Sequence, residues 1–481
     1  MVGRPAIAQN ERGEIMEIVI ILLALCFLMF VAYRGFSVIL FAPIAALLAV
    51  FLTEPGYVLP FYSGIFMDKM VGLVKLYFPV FLLGAIFGKM IEMSGFAKSI
   101  AQSISGVIGA KRAVLAIVIV GAILTYGGVS VFVVVFAIYP FAAELYRAAD
   151  IPKRLIPGTI ALGAFSFTMD ALPGTPQIQN IIPTTFFKTN TWAAPWLGLS
   201  GSIYVLIVGM VYLQWRCIKA RKEDEGYGEG HIHEPEHVDH GKKLPHPLLA
   251  IAPLLLVGVM NKVFTALIPR YYGTKFDFSA IGMKDVAAVD VGKITGVWAV
   301  EGALLMGVIM VLIFGFKRIR SHNFNRSINA SISGSLLATI NTASEYGFGG
   351  VIASLPGFTA VKKIIGTTFS NPLVNEAVTT NVLSGITGSA TGGMSIALAA
   401  MGQTYLEQAQ KYGISPEVLH RVAAMASGGM DTLPHNGAII TLLTVTGLTH
   451  KQSYKDIFAV TLIKTSAVFV IIATYYMFGI V

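Results

Sequence analysis

Long apolar stretches dominate this chain, at residues 18–33, 36–53, 76–93, 194–215, 247–264, 296–315 and 457–479. A helix crossing a bilayer needs about 20 predominantly apolar residues. Only 13% of the 481 residues are charged, about half the share of a soluble domain. Too few charges are present to clothe a water-facing surface. A soluble enzyme, a nucleic-acid-binding protein and a disordered scaffold are thereby excluded. The expectation is an all-α polytopic membrane protein with the lipid bilayer as its solvent. The net charge of +9 then reads as Lys and Arg gathered in cytoplasmic loops rather than as a nucleic-acid footprint. Cys26 and Cys217 give no disulfide framework.

Residues 1–15 read as an N-terminal extension and 16–35 as the first transmembrane helix. Glu11, Glu14 and Glu17 stand where a signal peptide carries basic residues, so cleavage is not expected. The true start falls at Met1 or Met16. Arg34, Lys89, Lys98, Lys111 and Arg112 follow the early spans, which places the N-terminus outside by the positive-inside rule. The bias over the whole chain is modest. Residues 36–215 form a first repeat, 216–246 a cytoplasmic linker, 247–295 a linking helix with an external loop, and 296–481 a second repeat.

Within the first repeat, segment 112–147 is basic at both ends and holds Thr125-Tyr-Gly-Gly-Val-Ser130 in its middle. Two ends on one side with a glycine break between them describe a re-entrant hairpin. Segment 156–187 is a helix broken at Asp170-Ala-Leu-Pro-Gly-Thr-Pro176. The second repeat echoes this order, with a hairpin at 374–405 and a broken helix at 415–448. Tyr126-Gly-Gly-Val-Ser130 matches Thr391-Gly-Gly-Met-Ser395, and Asp170-Ala-Leu-Pro173 matches Asp431-Thr-Leu-Pro434. Glycine-to-aspartate separations are similar (127 to 170, 392 to 431). Between them, Asp150-Ile-Pro152 corresponds to Gly413-Ile-Ser-Pro416; one short match is ordinary chance, but three in the same order at similar spacing are not. The hairpins enter from opposite sides, so the repeats are inverted, as in secondary transporters whose sites lie near the bilayer midplane.

Unwound backbone is tolerated in a bilayer only where protein buries it or water reaches it. Half-helix N-termini at such breaks favour anions. The candidate binding groups are Thr125, Gly127, Gly128, Ser130, Gly174, Thr175, Gln177 and Asn180 in the first repeat. Their counterparts are Ser389, Thr391, Gly392, Gly393, Ser395, Thr432, His435 and Asn436. Neutral donors prevail, which suits a carboxylate- and hydroxyl-bearing solute. A carboxylate at mid-membrane costs about 2.5–3.5 kcal/mol, so Asp170, Asp431 and Glu345 are the candidate proton-coupling residues. Asp170 and Asp431 are equally suited to capping the half-helices that follow them. Glu376 reads as an interfacial residue at the mouth of the second hairpin. His231, His233, His237, His240 and His246 lie in a solvated linker without metal-ligand spacing, and no metal or cofactor is expected. Stretches 63–75, 97–108 and 358–369 are amphipathic and suited to the interface. No nucleotide-binding or metalloprotease motif appears, which argues against ATP drive and an enzyme.

Through Asp170-Ala-Leu-Pro-Gly-Thr-Pro-Gln-Ile-Gln-Asn180 and Ser427-Gly-Gly-Met-Asp-Thr-Leu-Pro-His-Asn-Gly437, the chain resembles the gluconate:proton symporter (GntP) family of the ion transporter superfamily. It is most similar to the hydroxybutyrate-permease-like branch. The resemblance implies proton-coupled uptake of a small hydroxy-monocarboxylate, 3-hydroxybutyrate or gluconate-like, across a bacterial inner membrane. It also implies a homodimer working by alternating access. Sodium coupling is the nearest rival; an anion channel and an intramembrane aspartyl enzyme are more distant ones.

Overall fold

The computed structural model describes every residue except 1–3, 35, 233, 235–243, 284, 321–323, 361–368 and 435. Helix α1 (Arg4–Tyr33) runs back through most of the expected extension, since Ala6, Ala8, Gln9 and Glu11 are good helix formers. It is followed by α2 (Val38–Thr53) and α3 (Pro55–Met93). Stretch 63–75, expected along the interface, is continuous with α3. Next, α4 (Phe96–Ile108) is bent by 99° from the helical segment that follows. Its buried and exposed faces alternate with helical period, as an element lying across others requires.

The first hairpin is α5 (Ala113–Tyr126) and α6 (Val131–Ala148). The first broken helix is α7 (Ile156–Ala164), α8 (Phe167–Asp170) and α9 (Ile178–Phe187). Then come α10 (Pro195–Lys222), α11 (Pro247–Tyr272) and α12 (Val291–Ile319). Between the last two, a β-ribbon pairs Lys275–Phe276 with Val289–Asp290, antiparallel. The second half continues with α13 (Phe324–Ser354) and the second hairpin, α14 (Pro372–Thr387) and α15 (Ala390–Lys411). A second broken helix, α16 (Pro416–Gly429) and α17 (Gly437–Thr446), precedes α18 (His450–Phe478). Stretch 358–369 falls mostly outside the described residues.

Among the described residues, α3, α10, α11, α12 and α18 are long and apolar enough to cross a bilayer. Helix α10 shows how such a span is built. Trp196, Leu199, Ile203, Ile207, Val211 and Trp215 form one exposed stripe. Its terminal tryptophans lie about 29 Å apart at 1.5 Å per residue, close to the roughly 30 Å hydrocarbon thickness. The opposite, buried face sets glycines among Leu197, Ser202, Val205 and Leu213. A Cβ at Gly198 would lie 2.3 Å from the Ala171 carbonyl, one at Gly201 2.5 Å from Met425 Cε, and one at Gly209 2.3 Å from Leu162. Small residues thus let α10 approach both broken helices closely.

Helix α13 is absent from the apolar stretches because Ser, Thr and Asn interrupt it. Those hydroxyls turn back onto their own helix: Thr339 Oγ1 donates to Ser335 O, Thr342 to Ala338 O and Ser344 to Ile340 O. Back-bonding lets a polar sequence lie buried as a helix.

The region read as a linker is also different. Arg216–Lys222 complete α10, and Arg216 is buried, its Nε donating to Asp456 Oδ1 of α18 at 2.6 Å. Beyond it the chain folds back. Arg154 holds Glu225 in a two-pronged contact at 2.6 and 2.5 Å, while Glu234 meets Arg147, Lys153 and the Tyr227 hydroxyl. Hydrogen bonding from Arg154 lowers the Glu225 carboxyl below its ordinary range. Burial works against the Glu234 anion, but Lys153 and its other donors prevail and lower that carboxyl too. His231 lies 2.9 Å from the Tyr227 carbonyl. His233, His237 and His240 fall outside the described residues.

Candidate functional site

Two interrupted helices meet at the centre of the fold. In the first break, Gly174 takes φ +77, and a Cβ there would lie 2.4 Å from the Trp192 ring. Both backbone and space therefore demand glycine at this position. Thr175 Oγ1 donates to Thr168 O at 2.8 Å, and Tyr126 OH to Pro173 O at 2.9 Å. Asn180 Nδ2 donates to Thr175 O and Thr191 O at 3.0 and 2.8 Å. Its Oδ1 accepts from Arg421 Nη1 and His420 Nε2, both at 3.1 Å. That leaves the Asn180 amide with no hydrogen bond to offer a solute. Its place in the structure is as a brace.

Arg421 and His420, on α16, are site residues that the motif reading passed over. Arg421 is fully buried and also donates to Ala193 O at 3.2 and 2.7 Å and to Asp170 O at 3.1 Å. It compensates the carbonyls that unwinding released. The available signal was a basic residue inside an otherwise apolar helix, Val418-Leu-His-Arg-Val-Ala-Ala424.

In the second break, Lys464 Nζ donates to Asp431 Oδ1 and to Phe165 O, each at 2.7 Å. One buried cation thus joins a carboxylate of one break to a carbonyl beside the other. Thr432 Oγ1 meets Thr461 Oγ1 at 2.6 Å, and Tyr454 OH donates to Thr432 O at 3.1 Å. The breaks touch directly. Asp170 Oδ2 lies where a Cβ at Gly428 would stand 1.8 Å away, so only glycine admits the carboxylate. Asp170 is 5% exposed and Asp431 7%. Neither supplies a helix cap: Gln177 and Asn436 hold the positions before α9 and α17. Capping, one of the two readings open for these aspartates, is therefore not their role. His435 falls outside the described residues.

Each hairpin tip is tied to its break by the residue preceding the returning half-helix. Gln177 Nε2 donates to Thr125 O at 2.7 Å, and Asn436 Nδ2 to Gly388 O at 2.8 Å. The first tip lies where it was expected, at Gly127, Gly128 (φ +90) and Ser130. Of the residues expected at the second tip, only Ser389 lies there. Its turn is Gly388 (φ +65) with Ser389, whose Oγ accepts from Gly392 N at 3.0 Å. Thr391, Gly392, Gly393 and Ser395 lie inside α15. The left-handed Gly388 ends α14 and the Ser389 cap starts α15, which fixes the turn ahead of the Thr-Gly-Gly-Met-Ser sequence.

Gly392 and Gly393 serve close approach instead. A Cβ at Gly392 would lie 1.9 Å from Glu345 Oε2, and one at Gly393 2.2 Å from Ser384 Cα. Glu345 is thereby seated against α15, with Thr342 Oγ1 and Ser389 Oγ at 3.3 and 3.2 Å from Thr391 Oγ1. A cavity of about 480 Å³ is lined by Asp68, Lys69, Lys188, Lys293, Thr185 and Tyr346. Glu376 departs from the interfacial reading: it is 0% exposed, within α14.

Two solved structures share this architecture. The YdaH transporter of Alcanivorax borkumensis superposes with a TM-score of 0.56 over 86% of this chain and 88% of that one, at 15% identity. MtrF of Neisseria gonorrhoeae, of a class of antimetabolite efflux pumps, gives 0.51 over 84% and 82%, at 12% identity. Bilayer-length helices around two broken ones, in a fold shared with these proteins, define the class: a multi-pass membrane protein of that fold. No family model matches the chain. Its sequence is 60% identical over 473 residues to the "Uncharacterized transporter YxjC" of Bacillus subtilis (strain 168), spanning 97% of this chain and 100% of that protein. The chain belongs to the YxjC transporter family.

Proposed function

We propose that this transporter carries a small hydroxy-monocarboxylate, of the 3-hydroxybutyrate or gluconate kind, together with a proton by alternating access. The setting is a bacterial inner membrane and the assembly a homodimer, as the resemblance to the gluconate:proton symporters suggests. The observation that carries the reading is the Lys464 bridge between the Asp431 carboxylate and the Phe165 carbonyl. A carboxylate solute that takes Lys464 as its counter-ion displaces Asp431. The displaced anion, buried in a medium that penalises an unpaired charge, then takes up a proton. Solute anion and proton thereby bind together. The cavity lined by Lys69, Lys188 and Lys293 suits attraction of an anion. Ser389, Thr391 and Thr432 are the hydroxyls that supply further donors to the solute.

The test is uptake of labelled 3-hydroxybutyrate, and separately gluconate, into proteoliposomes with a pH gradient or a sodium gradient imposed alone. Uptake driven by pH supports the reading; uptake driven only by sodium, or net export of the solute against its gradient, overturns it. Asp431→Asn should lower uphill uptake more than counterflow exchange, because exchange needs no net proton movement.

A further inference from the structure

Buried polar side-chain atoms without a protein partner are concentrated in one place. Of the eleven such atoms among the described residues, eight lie on the second hairpin. Glu376, Thr380 and Ser384 recur every four residues along α14, which sets them on one stripe roughly 12 Å long. Asn381 stands beside them, and Ser395 and Tyr405 are the unpartnered groups of α15. Both oxygens of Glu376 lack a donor.

The stripe has two defined ends. Glu376 lies one turn inside the hairpin base, where Asn371 caps α14. At the other end, Asn381 Oδ1 abuts Gly429, with 1.9 Å to a Cβ built there, and Gly385 faces Met430. Met430 is the residue before Asp431. The stripe therefore joins the hairpin base to the second break.

Among the described side chains, the buried charges of α16 and α18 engage other partners. From α15, Tyr405 faces Glu376. On α16, Glu417, His420 and Arg421 bond Ala194 N, Thr189 with Asn180, and Ala193 O. On α18, Asp456 and Lys464 are held by Arg216 and Asp431. On α1, the Glu17 backbone lies against Gly357. Among the described residues no cationic side chain hydrogen-bonds the Glu376 carboxylate, and an unpaired ion is costly to bury.

We propose that Glu376 is a proton relay serving Asp431, with the Thr380–Asn381–Ser384 stripe as the path between the hairpin base and the second break. This rests on the proton-coupled reading above and deepens it. A proton adds to a Glu376 Oε to give the neutral acid. It departs from that carboxyl along the hydroxyl stripe to Asp431 Oδ when Lys464 is taken by the solute; each relaying hydroxyl accepts one proton and releases another, so the net change is one O–H bond broken at Glu376 and one made at Asp431.

The experiment compares wild type, Glu376→Gln and Glu376→Asp in proteoliposomes, measuring initial pH-driven uptake, counterflow exchange, and alkalinisation reported by a pH-sensitive dye. Loss of a positioned proton carrier lowers the rate on the order of 100-fold. Glu376→Gln is expected to lose that much of pH-driven uptake and of the dye signal, with a much smaller loss of exchange. Glu376→Asp is expected to restore most of the uptake. Equal losses of uptake and exchange in the Gln variant, or pH-driven uptake within twofold of wild type, would overturn the relay while leaving proton coupling intact. Should the Gln variant fail to fold, Thr380→Val carries the test: slowed pH-driven uptake with retained exchange supports the path, and unchanged uptake overturns it. A wild type indifferent to pH overturns the proton reading itself, and the relay with it.

Discussion

The two breaks are chemically unlike, although they interrupt similar sequences. Around the first, nearly every released polar group finds a partner: Asn180 uses its whole amide, Arg421 spans three acceptors, and Gln177, Thr175 and Tyr126 each close a bond. The second is held by Lys464, Thr461 and Asn436, while the hairpin beside it keeps eight buried atoms unpaired. Each unpaired buried group costs about 1–3 kcal/mol. A fold tolerates that where other work requires it. The contrast separates a braced half from a half poised for chemistry: a solute or proton finds free valences around the second break and few around the first.

The sharpest way to break this contrast is at Lys464. Lys464→Met leaves Asp431 buried without its cation, and a loss of about 3–5 kcal/mol in unfolding free energy is expected. Pairing it with Asp431→Asn should return much of that stability, because the uncompensated charge is gone; denaturant unfolding of the purified proteins checks both. In the braced half, Arg421→Gln strips donors from buried carbonyls and should cost on the order of 3 kcal/mol. A smaller loss in the same assay would show that the first break is not braced as described.

A matched pair sharpens the comparison further. Thr175→Val removes a hydroxyl bonded to Thr168 O and should cost about 1 kcal/mol. Thr380→Val removes an unpartnered one and should leave stability unchanged or raised, read as midpoint shifts in thermal unfolding.

The smallest effect lies outside the membrane. Glu225 has its carboxyl lowered by Arg154, so its contribution is present above the unfolded-state value near 4.5 and is lost as pH falls through the lower folded value. Because the pair is partly exposed, Glu225→Gln should cost no more than about 1 kcal/mol at neutral pH. The difference from wild type should vanish in acid, measured as stability against pH.

Much of this was written in the chain. Apolar run length marked the spans, because a bilayer fixes how many residues a helix needs. Pro173, Gly174 and Pro434 marked the breaks through the backbone groups they disturb. Asp170 and Asp431 stood out because a carboxylate in such surroundings demands a reason. What the sequence could not carry was partnership. That Lys464 answers Asp431, that Arg421 and His420 brace Asn180, and that Glu376 is buried without a donor all depend on helices far apart in the chain. The second tip was misplaced for a related reason. Gly392 and Gly393 resemble turn residues locally, but tertiary packing employs them to admit Glu345 and Ser384. Helix and break follow from local backbone chemistry and the solvent outside; which polar group meets which is decided only when the halves close on each other.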